Sequence, residues 1–351
     1  MTQESSFRKP ECIRMKGLII VLGMAVLLLF PSCFESIDAL KKVMDTNAVL
    51  EVEYHGTEIK DLHYGDGERE VYDLYLPEDT TDPKATHLIL FIHGGSWKSG
   101  DKKDGQYWCR NLASKGYTTA SISYTLKTRN TDTNIVLVNS QVRAAVEAIK
   151  AKCAELGITL VDMATNGFSA GACQAMLYGW DTESQYGWDA ESHSSIFPVR
   201  FIIQQSGPTT IEPSVWRNGE IHPIMLNSTG LDGSAKGDAE WISQFCGETV
   251  TEEMVKDGSA EAYWKKVSPY TFITDSSVPV VFAYGVLDGI VPPESRVILE
   301  QALQNHNVQY TCVIYENSGH MVACDLDKQR LFIEYVDKYC AKYFLGEEFD
   351  L

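Results

Sequence analysis

The chain has 351 residues, of which 44% are apolar and 22% are charged, and its formal net charge is −18. This composition is that of a folded globular protein, and the length suits a single large domain of the α/β class. The negative charge argues against a nucleic-acid partner, because binding a phosphate backbone requires clustered lysine and arginine.

The first 32 residues have the features of an export signal. An uncharged apolar run at 17–30 follows several basic residues and ends at Pro31. This run is shorter than the about 20 residues that span a bilayer, so we interpret residues 1–32 as a signal and not as a membrane helix. The Phe-Pro-Ser-Cys sequence that ends at Cys33 resembles the lipobox of bacterial lipoproteins. It predicts a periplasmic or cell-surface protein, either lipid-anchored through Cys33 or simply secreted.

Seven cysteines follow this leader, at positions 109, 153, 173, 246, 312, 324 and 340. None has the Cys/His spacing of a zinc site, so the sequence predicts no structural metal. In an oxidising compartment one disulfide is an option, from Cys312 to either Cys324 or Cys340. The alternative is that most of these thiols are small buried apolar groups.

Strand and helix patterns alternate through most of the chain. We assign residues 33–69 to an N-terminal extension with the first strand and residues 70–345 to one large domain. Strands are predicted at 70–76, 87–92, 118–124, 163–168, 201–203, 279–284 and 308–315, and helices at 104–115, 138–156, 170–180, 293–305 and 327–344. This alternation predicts an α/β fold with a mostly parallel, doubly wound central sheet and helices on both faces. The segment at about 209–268 breaks the pattern and is interpreted as an insertion.

A serine in a glycine-flanked turn is the first candidate for chemistry. The sequence Gly-Phe-Ser-Ala-Gly at 167–171 lies between a predicted strand and a predicted helix. A sharp turn there would hold the hydroxyl of Ser169 above the sheet, and the small flanking residues would leave room for it. An ester carbonyl is a poor electrophile, so this serine needs a neighbouring base.

The second candidate is a group of backbone N–H donors. The sequence His-Gly-Gly-Ser-Trp at 93–97 directly follows an apolar strand. A tetrahedral intermediate carries negative charge on oxygen, and glycine lets N–H groups approach that oxygen closely. We predict Gly94, Gly95 and Ala170 as the oxyanion hole, with Ser96 as the alternative to Gly95.

His320 is the candidate for the base and Asp288 is the candidate for the carboxylate that orients it, because each follows a predicted strand directly. His320 would take the proton of Ser169 and return it to the leaving alcohol. Asp288 would hold the imidazole in one tautomer. Glu316 and Asp325 are the alternative carboxylates.

These motifs, in the order Ser169, Asp288, His320, resemble the α/β-hydrolase superfamily over roughly residues 70–345. They match the branch with HGG-x-W and G-x-S-A-G motifs, which includes hormone-sensitive-lipase-like carboxylesterases and acetyl- or feruloyl-esterases of plant polysaccharides. The Ser-Gly-Asp-Lys stretch at 99–102 also resembles the esterase pattern, whereas Ser96 stands where lipase-like members often have a third glycine. The resemblance implies a serine mechanism that uses no metal and no organic cofactor.

The sequence therefore predicts an exported serine esterase acting on small-molecule or oligosaccharide esters. Trp216 and Trp241 of the insertion are candidates for stacking on sugar or feruloyl rings, and their alternative role is packing. A peptidase acting on small peptides and a non-catalytic binding protein on a hydrolase scaffold stay open as alternatives. The sequence makes no prediction of oligomeric state.

Overall fold

The computed structural model describes residues 49–181, 196 and 198–348. The predicted export signal and Cys33 lie outside these residues. Within the described ranges, none of the helices combines the length and the apolarity that crossing a bilayer requires.

Eight strands form one mostly parallel sheet, as predicted. They are β1 (Thr57–His63), β2 (Val71–Leu76), β3 (His87–Ile92), β4 (Thr118–Ile122), β5 (Asp162–Phe168), β6 (Val199–Gln205), β7 (Val280–Gly285) and β8 (Tyr310–Tyr315). Their order in the sheet is β1-β2-β4-β3-β5-β6-β7-β8. Strands β3 to β8 run parallel, and β2 is antiparallel to both of its neighbours.

Ten α-helices accompany the sheet in the part of the chain that is described. They are α1 (Gln106–Ala113), α2 (Ile135–Glu155), α3 (Ala170–Trp180), α4 (Pro213–Asn218), α5 (Pro223–Thr229), α6 (Ala235–Cys246), α7 (Glu252–Asp257), α8 (Glu261–Lys265), α9 (Glu294–Asn305) and α10 (Leu326–Leu345). Short 3-10 turns lie at Pro83–Thr86, Lys102–Gly105 and Pro269–Phe272.

The two faces of the sheet bury two separate hydrophobic clusters. Strand β3 is buried throughout: Leu88 and Leu90 point into the cluster beneath α2, α3 and α9, and Ile89 and Phe91 point into the cluster beneath α1 and α10. Successive side chains of a strand point to opposite faces, so a continuous apolar run is required where helices cover both sides. This confirms the doubly wound α/β fold.

Helix α2 shows how the sequence determines a helix that covers one face of the sheet. Asn134 caps its first turn, with Oδ1 accepting a hydrogen bond from the N–H of Leu137 at 2.9 Å. Its buried side chains recur at helical spacing and include Val138, Val142 and Ile149. Gly157, at φ +82°, follows its end.

No disulfide forms among the cysteines that the structure describes, and five of these seven are buried, which confirms the alternative that most of them are small buried apolar groups. Cys312 packs against the cluster beneath α2, α3 and α9, whereas Cys340 lies in the cluster on the other face of the sheet. The sheet therefore separates these two sulfurs. Burial raises the pKa of Cys312 to about 12, which keeps this thiol protonated and unreactive.

Candidate active site

The Gly-Phe-Ser-Ala-Gly sequence forms a tight turn between β5 and α3. Ser169 has φ 54° and ψ −122°, a strained conformation for a residue with a side chain. A Cβ atom on Gly167 would overlap the backbone of Gly171, and one on Gly171 would overlap the carbonyl oxygens of Ile92 and His93. Both glycines are therefore sterically required, and the turn places Ser169 at the carboxyl edge of the sheet, where sites of open α/β sheets form.

Gly171→Ala is expected to destabilise the fold by about 3 kcal/mol, because backbone atoms and not a flexible side chain block the added methyl group. Gly157→Ala is the matched control: its Cβ would meet nothing within 4 Å, and only its φ of +82° opposes the change. We expect the Gly157→Ala substitution to lower the free energy of unfolding by about 1 kcal/mol. Urea unfolding curves would measure both variants, and equal losses would contradict the steric explanation.

The three predicted triad residues lie together in one hydrogen-bonded chain. His320 Nε2 is 2.8 Å from Ser169 Oγ, and His320 Nδ1 is 2.8 Å from Asp288 Oδ2. All three side chains are buried, with at most 5% of each exposed. A buried carboxylate accepts hydrogen bonds, so the proton is assigned to Nδ1, which leaves the Nε2 lone pair facing the serine hydroxyl.

Asp288 is fixed on both of its oxygens. While Oδ2 faces His320, Oδ1 accepts hydrogen bonds from the N–H groups of Ile290 at 2.8 Å and Val291 at 3.0 Å. The turn after β7 thus holds the carboxylate in a single orientation. The sequence predicted that Asp288 follows a strand, but it gave no indication that two backbone N–H groups would hold Oδ1.

The alternative carboxylates have other partners. Asp325 Oδ2 accepts hydrogen bonds from the Ser318 hydroxyl at 2.7 Å and from the N–H of Asn317 at 3.0 Å. Burial raises the pKa of Asp325, but these hydrogen bonds outweigh it and the pKa lies below its ordinary value. Glu316 pairs with Lys328 at 3.2 Å. Asp325 therefore shapes the loop that carries His320, and neither carboxylate is bonded to the imidazole.

Ser206 is a residue that the sequence analysis missed. It follows β6 at φ 53°, and its hydroxyl donates to the carbonyl oxygen of His320 at 2.8 Å. The hydroxyl is buried and, from the end of β6, holds the backbone of the histidine that follows β8. A serine at a strand end carries no sequence signal of its own, so only the fold could reveal it.

The loop at 93–97 passes directly beside the serine at Gly94. A Cβ atom on Gly94 would lie 3.1 Å from that of Ser169, so glycine is needed for this approach. Gly95 has φ 105° and Ser96 has φ 53°, and this left-handed turn leaves their N–H groups, like that of Ala170, without an acceptor in the described chain. Both Gly95 and Ser96 thus remain candidate donors.

His93 is part of the support of this loop. It is fully buried, and its ring stacks on Tyr124 with centroids 4.1 Å apart. Its Nδ1 lies 2.7 Å from the carbonyl oxygen of Gly94, and the Tyr124 hydroxyl donates to the carbonyl oxygen of His93 at 2.9 Å. Burial lowers the pKa of His93 to about 4, so the imidazole is neutral and acts as a fixed donor to the loop.

A buried ion pair anchors the far end of the same loop. Lys102 is 3% exposed, and its Nζ contacts Asp73 at 2.6 Å and Asp61 at 2.8 Å. Arg69 donates to the carbonyl oxygen of Gly100 at 2.7 Å. The Ser-Gly-Asp-Lys stretch is therefore the point where the loop is attached to β1 and β2.

A pocket of about 80 Å³ opens beside Ser169. Its walls are mainly aromatic and aliphatic, and the insertion supplies much of them, including Trp216, Trp241 and Phe245. The two tryptophans are buried, and their N–H groups donate to the carbonyl oxygens of Thr210 and Ile211 at 2.8 Å. They are packing residues that also form the pocket wall, and neither presents an exposed face for a sugar.

Comparison with solved structures identifies the fold. A truncated carbohydrate esterase from gut microbiota has a TM-score of 0.62 at 18% identity, covering 83% of this chain and 97% of that one. Esterase B from Lactobacillus rhamnosis has a TM-score of 0.63 at 16% identity, with coverages of 95% and 98%. Esterase 2 from Thermogutta terrifontis has a TM-score of 0.60 at 18% identity, covering 82% of this chain and 92% of that one. At these identities the likeness shows a shared fold.

Sequence relatives match over shorter stretches. The kynurenine formamidase of Salmo salar is 30% identical over 86 residues, which are 24% of this chain and 28% of the relative. A probable isoprenylcysteine α-carbonyl methylesterase of Oryza sativa is 36% identical over 66 residues, or 19% and 16% of the two chains. The chain thus spans less than a third of the length of these curated relatives.

The model of the BD-FAE family matches residues 72–303, which is more than half of the chain and includes both Ser169 and Asp288. Together with the sheet topology, this match shows that the chain belongs to the BD-FAE family of α/β-hydrolase esterases.

Proposed function

We propose that this protein is a serine esterase that cleaves carboxylic esters through an acyl-enzyme. In this proposal Ser169 is the nucleophile, His320 the general base and acid, and Asp288 the orienting carboxylate. The observation that carries it is the hydrogen-bonded chain from Asp288 through His320 to the hydroxyl of a serine in a strained, glycine-flanked turn.

The mechanism follows from these positions. As the oxygen of Ser169 attacks the ester carbonyl, its proton passes to His320 Nε2, and Asp288 stabilises the imidazolium. The N–H groups of Ala170 and of Gly94 with Gly95 or Ser96 would stabilise the oxyanion. Collapse of the intermediate breaks the bond to the alcohol, which takes the proton from Nε2. A water activated by the same imidazole then hydrolyses the acyl-enzyme.

The pocket favours a small acyl group. Its volume of about 80 Å³ is sufficient for an acetyl group. A larger acyl group such as feruloyl would have to extend into the second cavity, of about 770 Å³, that Gly94, Gly95 and Phe168 help to line. The similarity to carbohydrate esterases and the predicted export signal support an acetylated sugar outside the cytoplasm as the substrate.

A panel of esters tests this function. The substrates are 4-nitrophenyl acetate, 4-nitrophenyl octanoate, methyl ferulate, acetylated xylan and a proline 4-nitroanilide. We expect release of acetate from the first and fourth at rates that depend on Ser169. Cleavage of the anilide alone would point to a peptidase, and no serine-dependent turnover would overturn the esterase proposal.

Phe245→Ala is expected to widen the pocket and to raise the kcat/KM ratio of octanoate to acetate by about tenfold, because a few methylene contacts are worth 1–3 kcal/mol in such pockets. Phe245 is half-buried and packs its edge against Trp97 and Trp241. Phe344→Ala, in the aromatic cluster around Phe201, controls for loss of an aromatic ring elsewhere. An unchanged ratio would show that this pocket does not bind the acyl chain.

A further inference from the structure

The pocket beside Ser169 is lined by charges of one sign. Lys98 and Lys127 are the two charged side chains among its described lining residues, and no carboxylate lies in this wall. The remaining lining is apolar or neutral, with Asn134 and Gln244 as examples. In a chain with 48 acidic and 30 basic residues, a purely cationic lining is opposite to the charge of the molecule as a whole.

Neither lysine forms an ion pair with a described carboxylate. Lys127 Nζ donates to the backbone carbonyl oxygen of Gln244 at 3.0 Å and lies 5.9 Å from the ring centroid of Phe245. Lys98 is exposed at the pocket mouth. By contrast, Lys102 and Lys115 each contact a carboxylate at 2.6 Å.

The two ammonium groups also affect each other. Burial and the charge of Lys98 lower the pKa of Lys127 below its ordinary value. Two like charges that share a pocket without a counter-ion repel each other, and an anion bound between them would remove this cost. A carboxylate is the anion that an ester substrate most simply brings.

We propose that the ester bound in this pocket carries a carboxylate group, which Lys98 and Lys127 recognise. This inference rests on the proposed esterase function and narrows its substrate class to anionic esters. The carboxylate has two sources: the alcohol portion, as in an acetylated sugar acid, or the acyl portion, as in a monoester of a dicarboxylic acid.

Two substrate pairs of nearly equal shape separate charge from size. 4-Acetoxybenzoate and 4-acetoxybenzamide place the charge difference on the alcohol side. Mono-4-nitrophenyl succinate and 4-nitrophenyl succinamate place it on the acyl side. The measured quantity is the ratio of kcat/KM for the anionic ester to that for the neutral ester. Both values come from one enzyme sample, so the ratio does not depend on how much of a variant is folded.

The variants are Lys98→Met, Lys127→Met and the double substitution, which keep the apolar stems. Lys338→Met, whose Nζ pairs with Glu334 on α10, is the control that removes one positive charge away from the pocket. For one of the two pairs we expect the double variant to lower the ratio by about tenfold relative to the wild-type protein. The control should leave it unchanged, and 0.5 M salt should reduce the wild-type preference.

The outcomes separate the two proposals. Serine-dependent turnover of the neutral esters with both ratios unchanged in the double variant would overturn the carboxylate inference and leave the esterase function standing. Absence of serine-dependent turnover of all four esters would overturn the esterase function and the inference with it. A fall in the ratio for one pair supports the inference and identifies the portion of the substrate that bears the charge.

Discussion

Ser169→Ala is expected to lower kcat for 4-nitrophenyl acetate by about 10⁵-fold or more, because the variant lacks the only atom that can form the acyl-enzyme in the proposed mechanism. The fold should persist. The N–H of Ser169 keeps its hydrogen bond to the carbonyl oxygen of Gln205 at 2.8 Å, and the strained φ of 54° is equally unfavourable for alanine and for serine.

Ser206→Ala is the matched control for this substitution. Ser206 has nearly the same φ, 53°, follows the neighbouring strand, and also loses one buried hydroxyl, which in the native protein donates to the carbonyl oxygen of His320. Loss of one such hydrogen bond costs about 1–3 kcal/mol, so we expect a modest effect on activity and stability. Retained activity in a folded Ser169→Ala variant, measured alongside its melting temperature, would disprove the nucleophile assignment.

Asp288→Asn is expected to lower kcat by about 10⁴-fold while preserving the fold, by analogy with other triads. The structure supplies a specific reason. Two backbone N–H groups, from Ile290 and Val291, donate to Oδ1, so the amide oxygen of asparagine must occupy that position. The amide NH₂ group then faces His320 Nδ1 and forces the proton onto Nε2. An imidazole in that tautomer cannot accept the proton of Ser169.

Asp325→Asn serves as the control for this substitution. That carboxylate holds the loop through Ser318 and Asn317 and has no contact with the imidazole, so its loss should act through stability and reduce kcat far less. Activity against 4-nitrophenyl acetate and melting curves of both variants would be compared. A large loss in Asp325→Asn with an active Asp288→Asn would reverse the two roles.

Much of the fold could be predicted from local patterns, because each pattern has a direct physical cause. The apolar run at 87–92 is β3, and it is buried on both faces. The repeat Val138, Val142, Ile149 is the buried side of α2. Predicted boundaries differ by a few residues where capping decides them: α2 begins at Ile135 because Asn134 caps it, ahead of the first residue in the apolar repeat.

The insertion could be located from the sequence but not described. The segment at about 209–268 contains the five helices α4 to α8. Four of them have at most 7 residues and are too short to show a clear apolar period. Trp216 and Trp241 form part of the pocket wall only through tertiary packing. From the sequence, stacking on a substrate ring and packing within the insertion therefore both stayed open for these tryptophans. The shape and charge of the pocket were not predictable from local pattern for the same reason.

The candidate site could be predicted from the sequence because its residues follow parallel strands directly. The carboxyl ends of parallel strands lie at one edge of a sheet, and this brings Ser169, Asp288 and His320 within hydrogen-bonding distance. The contacts that support these three residues could not be predicted from the sequence. Ser206 has no sequence signature, and the stretch at 99–102 does not indicate that Lys102 pairs with Asp73, because each contact involves a partner far along the chain.

The most direct test of the account is covalent labelling of the nucleophile. The full chain would be treated with a fluorophosphonate, which phosphonylates activated serines with loss of fluoride, and then digested for peptide mass spectrometry while esterase activity is followed. We predict one phosphonyl group per chain, located on Ser169, with activity lost in proportion to labelling and no labelling of the Ser169→Ala variant. Complete inactivation with the label on another residue, or esterase activity that survives full labelling of Ser169, would contradict the proposed mechanism.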